Sequence, residues 1–349
     1  MRRGLAFLVA LIAAGLSLAR GPSVPDPVLA PPEHRRTPDQ TFLTFPEWFL
    51  VHSPAEYAAF LAKAERPSEF PLFAHIGQFW QSYAAVSREI GKYPFNGGYH
   101  LMVMVIGSST TVEYGLKGLY EHSIGRIAEA SKSTLQVPEE RFAAQYAQAY
   151  VDFIRVEPWY KFDFWSHLRA LWSEPLPLQG ADRLRRWERR YLLSTELLVK
   201  EGYARLIKLG TQTIYDAPKP TTAVLVSRMP ALDVSAHPDF SLLGPGPGTG
   251  EVLALIPRYE GFTNYSQWLA VQGIDFIEVA GNRGEILLSV LAPKDWARPR
   301  GRLVFAQPIL TRPGGQRFVL AVPVADLGAL LREVMLRKDQ LSIEHVYDF

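Results

Sequence analysis

The chain has no cysteine in its 349 residues, and that one absence excludes disulfides, thiolate metal sites and cysteine nucleophiles. It has no excess charge of either sign. With 37 Lys and Arg against 35 Asp and Glu the formal charge is +2, so no global field points to nucleic acid or a strongly anionic partner. The metalloprotease HExxH, the phosphate-loop GK[ST] and the serine-hydrolase GxSxG are all missing. No cofactor and no metal is therefore expected, and no nucleic acid. What is present is a chain nearly half apolar, 48% hydrophobic with 12% aromatics, long enough to bury the cores of two domains.

The N-terminus carries Arg2 and Arg3 ahead of an uncharged apolar run at residues 4–19. This is the layout of a secretion leader. The run falls short of the roughly 20 residues a membrane-spanning helix needs, and Ser17, Leu18 and Ala19 read as a small-x-small cleavage site. Residues 1–20 are read as a signal peptide cleaved there or as a retained signal anchor. Either way the remainder is expected to work in the periplasm, at the inner membrane.

Residues 21–41 are so rich in Pro that a stiff extended linker is expected. From Phe42 to about residue 216 apolar residues recur at three and four, which predicts a helical domain. Ser53, Pro54 and Glu56 look like the cap, first position and capping carboxylate of its first helix. The Pro and paired Gly between Lys92 and Gly98 predict a break before a long apolar helix. After Pro218 and Pro220 the pattern turns β-branched and periodic at two, and residues 221–349 are expected to form an α+β domain. Turns at 281–284 and 312–315 look like hairpins. Residues 251–280 and 317–346 share a strand, helix, strand plan, a weak internal repeat. The fold class is thus α+β: an N-terminal all-helical domain, then a C-terminal α+β sandwich that resembles, in outline, ferredoxin-like βαβ units.

Four constellations bear on function. Glu113, Lys117 and Glu121 are spaced by four in an apolar setting, which reads as intrahelical ion pairs or as a partly buried functional pair. His100 opens the same helix, whose first amides are a place for an anion. His75 and Gln78 share a face beside Phe79 and Trp80, either as satisfied core groups or as a polar pocket. His75, His100, Glu113 and Lys117 are therefore the catalytic candidates if the chain is an enzyme. Asp163 and His167 have ligand spacing but no visible third partner.

The third constellation is the aromatic run containing Trp159, Tyr160 and Trp165, followed by Arg185, Arg186 and Arg189. Rings beside cations suit a bilayer interface and anionic headgroups, while the bland reading packs the rings between helices and pairs the arginines with glutamates. The fourth is the Gly- and Pro-rich segment bearing Asp233, His237 and Asp239, expected to be a mobile surface loop. Together these readings favour a non-catalytic envelope protein of binding or scaffold type. Its expected partners are a membrane surface, a small hydrophobic or anionic ligand, and its own copies through the C-terminal domain.

Overall fold

The computed structural model describes residues 29–175, 178–211, 220–227, 232–298 and 300–348. The leader lies outside the described residues. The α+β, two-part layout holds. Helices occupy the chain up to Thr211, and strands begin at Thr221.

The helical half comprises α1 (Thr44–Ala62), α2 (Leu72–Glu89), α3 (Gly97–Tyr120), α4 (Arg126–Ala130), α5 (Pro138–Ile154), α6 (Phe164–Ser173) and α7 (Arg183–Thr211). A π-helical turn, Glu121–Gly125, joins α3 to α4 in one continuous rod. Helix α1 begins nine residues before the expected cap, at Thr44 against Ser53, and carries Pro54 in its interior. The apolar stretch before Ser53 decides this. Phe45 and Trp48 bury against the sheet of the other half, and that burial outweighs the backbone hydrogen bond lost at Pro54. Asn96 caps α3, accepting from the Tyr99 amide at 2.9 Å.

The other half is the same plan used twice. β1 (Thr221–Val226), β2 (Ser241–Pro245), β3 (Val252–Pro257), α8 (Glu260–Val271) and β4 (Phe276–Val279) form one unit. β5 (Glu285–Pro293), β6 (Arg302–Pro308), β7 (Gly315–Pro323), α9 (Val324–Leu336) and β8 (Ser342–Val346) form the other. Each makes a four-stranded sheet, ordered β2-β3-β1-β4 and β6-β7-β5-β8, with antiparallel neighbours throughout. The strands either side of each helix are therefore parallel and separated by the unit's first strand. Each sheet has one such helical crossover, where a ferredoxin-like sandwich has two. The turn at 312–315 closes a hairpin between β6 and β7. That at 281–284 does not, because β4 and β5 lie in different sheets. Strand β2 arises inside the segment expected to be a mobile loop, where His237 stacks on Trp268 with 4.0 Å between ring centroids.

Helices α8 and α9 pack together, and a single core runs between them and one face of both sheets, through Val224, Phe262, Leu288 and Leu330. The opposite face of the second sheet, at Leu287, Val319 and Ala321, packs on Phe42, Phe45 and Trp48. The two halves thus share a buried apolar cluster among the described residues. The described part of the expected linker is docked as well. Ala30 donates to buried Glu278 at 3.0 Å, the Arg36 amide bonds the Ala280 carbonyl at 3.0 Å, and the Arg36 guanidinium meets Asp348 at 3.2 Å. Prolines open two short 3-10 turns, Pro32–His34 and Pro38–Gln40, so this strap is turned rather than extended.

Candidate functional site

Helix α3 pairs its charged residues with α7, Lys117 largely buried and Glu113 at the exposed edge. Lys117 donates to Glu196 of α7 at 2.9 Å, Lys200 of α7 bonds Glu196 at 3.0 Å, and Lys200 meets Glu113 at 3.1 Å. The expected pairs within α3 do not form. Glu121 instead takes both ends of the Arg189 guanidinium, at 2.7 and 2.9 Å. A neighbouring helix wins because it brings Lys200 to Glu113 and Arg189 to the buried Glu121. Burial opposes the charge on Lys117, yet Glu196 outweighs it and the ammonium pKa is raised. The same balance, with Glu113 and Glu196 as the counter-charges, raises Lys200. Glu196 is held well below the usual carboxylate range: burial works against its charge and the two lysines overcome it.

These groups border a cavity of about 80 Å³ between α1, α3, α5 and α7. Its walls include Tyr57, Tyr114 and Tyr146 on one hand and Phe49, Leu61 and Leu193 on the other. The Lys117 ammonium sits 4.3 Å from the centre of the Tyr57 ring, a cation–π contact. The Tyr146 hydroxyl is buried and has no hydrogen-bond partner.

Tyr114 connects this cavity to a second polar set. Its hydroxyl lies 2.8 Å from Ser53 Oγ, which lies 3.0 Å from His75 Nδ1. His75 Nε2 faces Glu56 at 3.7 Å, and Glu56 accepts from Arg317 of β7 at 2.9 Å. Burial, with Arg317 nearby, lowers the His75 pKa to about 3, so the ring is neutral at physiological pH. Gln78 also serves the seam, donating to the Pro308 carbonyl at 2.7 Å. Ser53 is 1% exposed and sits inside a helix whose amides are committed to its own ladder. Neither access nor an oxyanion-stabilising pair is built there.

The structure therefore brings Glu113 and Lys117 together with two residues that sequence reasoning missed, Glu196 and Lys200. It does not bring all four catalytic candidates together. His75 lies behind Tyr114, and His100 is occupied elsewhere, 2.8 Å from the Tyr83 hydroxyl and stacked on Phe95. Asp163 caps α6 through the Ser166 amide at 2.9 Å, and His167 Nδ1 bonds the Asp163 carbonyl. No group of three or more His, Asp or Glu side chains suited to a metal occurs among the described residues.

The arginine-rich stretch is a correction to the lipid-facing reading. Arg185 is fully buried and Arg189 nearly so. Arg185 bonds Glu140 at 2.8 Å and Glu188 at 3.0 Å, Arg189 bonds Glu188 at 2.7 Å besides Glu121, and Arg186 grips Glu139 at 2.9 and 3.1 Å. Gly125 makes room for this packing, since a Cβ there would lie 2.5 Å from Glu121 Oε2. These guanidinium groups are consumed by carboxylates. Of the aromatics, Trp159 and Tyr160 are half-buried against Tyr203 and their neighbours, whereas Trp165 stays 44% exposed.

Large apolar side chains face outward as well. Along the rod from Gly97 to Ala130, nine large side chains are exposed: Leu101, Met102, Met104, Val105, Val112, Leu116, Leu119, Ile124 and Ile127. Helix α7, tied beside it by Lys117–Glu196 and Arg189–Glu121, exposes Tyr191, Leu198, Val199 and Leu206. Glu121, Glu129 and Glu188 are turned inward while Arg126 and Arg183 are exposed. No helix among the described residues is long and apolar enough to cross a membrane. No family model, no curated protein and no solved structure matches the chain.

Proposed function

We propose that the protein is an exported envelope protein of binding or scaffold type, whose helical half rests on the periplasmic face of the inner membrane through the outward sides of α3 and α7. One observation carries this reading: along the rod from Gly97 to Ala130 nine large apolar side chains stand in solvent while Glu121 and Glu129 are buried, Glu113 being the one exposed carboxylate. Ordinary soluble helices show the reverse, and exposed apolar surface on this scale marks an interaction site. Lipid is the partner this reading commits to, because the exposed Arg126 and Arg183 complement anionic headgroups and outnumber the one exposed carboxylate of the rod, Glu113. Trp165 and Trp172, both nearly half exposed, are the ring type that settles at headgroup level. Half-exposed side chains of this size contribute roughly 1 kcal/mol each when covered. Half of the nine, engaged at once, match the roughly 5 kcal/mol of a single myristoyl anchor, which is reversible.

The leader read from residues 1–20 supplies the address in this proposal. The split strand-helix-strand crossovers keep a kinship with ferredoxin-like units in it, and the exposed edge strand β2 offers the place where copies pair. The enzyme reading is not carried forward, since His75, His100, Glu113 and Lys117 form no common site.

The test is flotation of residues 21–349, freed of the leader, with vesicles containing phosphatidylglycerol. The chain is expected to float, and Leu116→Glu with Leu119→Glu to leave it in the soluble fraction with its thermal midpoint unchanged. A native chain that stays soluble, or a double variant that still floats, overturns the proposal.

A further inference from the structure

We infer that the ridge on α3 recognises gaps in lipid packing along its length, headgroup charge acting only at one end, so that the protein selects strongly curved bilayers over flat ones of the same composition. This rests on the membrane reading and names the kind of lipid surface it takes.

The outward face of α3 sets the chemistry. Apart from Ser108, Ser109 and Glu113, every exposed side chain of α3 is a large apolar one. An interfacial helix of the common kind carries a flank of Lys and Arg that finds anionic lipid by charge. Here that flank is missing. Lys117, the one Lys or Arg of α3, is bonded to Glu196 at 2.9 Å with its side chain 13% exposed, and Glu113 is answered by Lys200 at 3.1 Å. On α7, no exposed residue between Trp187 and Tyr203 is charged.

The cationic charge gathers at one end instead. The pairs Glu113–Lys200, Lys117–Glu196 and Glu121–Arg189 count up along α3 and down along α7, so the two helices run antiparallel and the exposed Arg126 and Arg183 share an end. At the other end Arg205 is bonded to Glu201 at 2.6 Å. Leu101 stands about 37 Å along the rod from Arg126, several times the roughly 8 Å over which charge acts at physiological salt. Most of the ridge therefore enters lipid without electrostatic help.

In a flat leaflet such side chains must first part the headgroups, whereas strong outward curvature spreads the headgroups and leaves acyl chains uncovered. The ridge fits the second surface. Its side chains stand on a helix folded before contact, and the unbranched Met102 and Met104 adjust to gaps of irregular shape.

Partitioning of the leaderless chain onto sonicated small vesicles and extruded large ones, of one phosphatidylcholine and phosphatidylglycerol mixture, tests the inference. Attachment is expected to be about tenfold tighter on the small vesicles, the equivalent of one or two further side chains covered. It is expected to persist on small vesicles of phosphatidylcholine alone. Ser108→Lys with Ser109→Lys supplies the missing flank and is expected to bring the large anionic vesicles to within about twofold of the small ones, with the thermal midpoint unchanged. Equal attachment of the native chain to both sizes, loss of attachment on phosphatidylcholine alone, or an undiminished size preference in the double variant overturns the inference and leaves the membrane reading standing. Attachment to no vesicle overturns both, and sedimentation as a dimer in that case gives the ridge to a second copy.

Discussion

Arg317 of β7 reaches Glu56 of α1 at 2.9 Å while its other contacts hold Glu344 of β8 at 2.5 and 2.7 Å. One buried cation thus serves two carboxylates and ties the second sheet to the helical half. Burial alone works against its charge, but Glu344 and Glu56 outweigh that and raise its pKa. Removing the cation while leaving both carboxylates in place strands them out of water. Arg317→Met is expected to cost about 3–5 kcal/mol, read as a lower urea midpoint. A midpoint within experimental error of the native one would mean that the seam is held by the apolar contacts around Phe45 alone.

Acid should loosen the same seam. Burial lowers the pKa of His52 to about 4 and of His75 to about 3, and burial beside His52 pushes His345 well below its ordinary value. In the unfolded chain these rings protonate near pH 6.5, so below that pH the unfolded state binds more protons. Their contribution is complete above about pH 6.5 and drains as the pH falls toward 4. Glu56 and Glu260 work the other way, because burial raises their carboxyl pKa values despite Arg317 and Arg155, but they are two groups against three. Below the ordinary carboxylate range Glu344, held at about 2 chiefly by Arg317 against its burial, adds to the loss. A tenfold difference in proton affinity between the folded and unfolded chain corresponds to about 1.4 kcal/mol. Calorimetry at pH 7, 6 and 5 is expected to show a falling midpoint; a flat profile across that window rules this account out.

How much of this was legible depends on the range of the interaction. The period-two strands from Thr221 onward and the amphipathic α8 and α9 follow from local pattern, and so does the repeat of their plan. The role of Glu56 does not, because its partner is 261 residues away and the local Ser-Pro-x-Glu grammar imitates a cap. Glu113 and Lys117 were visible as a pair, but their partners come from α7, with Lys117 and Glu196 separated by 79 positions. The spacing of charges in α3 shows that they share a face. It does not show which face turns inward, and for this helix the usual rule is inverted. The arginine run likewise looks the same in sequence whether its cations meet lipid or buried glutamates.

That ambiguity gives a contrast between two arginines. Arg189→Gln removes a cation that Glu121 and Glu188 both bond, and is expected to destabilise the fold by about 3–5 kcal/mol. Arg126 is exposed, and Arg126→Gln is expected to leave the thermal midpoint unchanged while weakening vesicle attachment by about 1 kcal/mol. Thermal melts and vesicle partitioning, run on both variants, separate the two roles. If Arg189→Gln melted like the native chain, the buried ion cluster would have no structural weight.

Glycine in α3 offers the sharpest check on helix packing, because one substitution should have opposite signs at two positions. A Cβ on Gly107 would lie 2.2 Å from Phe79 Cε1 and 3.0 Å from the Trp80 ring. Neither ring is free to retreat. Phe79 is 1% exposed and packed edge-on against Phe49 at 5.3 Å, and Trp80 is pinned by its indole N–H donating to Thr111 at 3.0 Å. Overpacking of this kind costs about 1–3 kcal/mol, against the roughly 1 kcal/mol that Ala gains over Gly in a helix. Gly107→Ala is expected to lower the urea midpoint. At Gly115, on the same helix, nothing lies within 4 Å of the added carbon, so only the propensity gain remains and Gly115→Ala is expected to raise stability by about 0.5–1 kcal/mol. Were both substitutions stabilising, α2 and α3 could not be as close at Gly107 as Phe79 and Trp80 require, and the inward setting of α3 that turns its apolar ridge to solvent would fall with that contact.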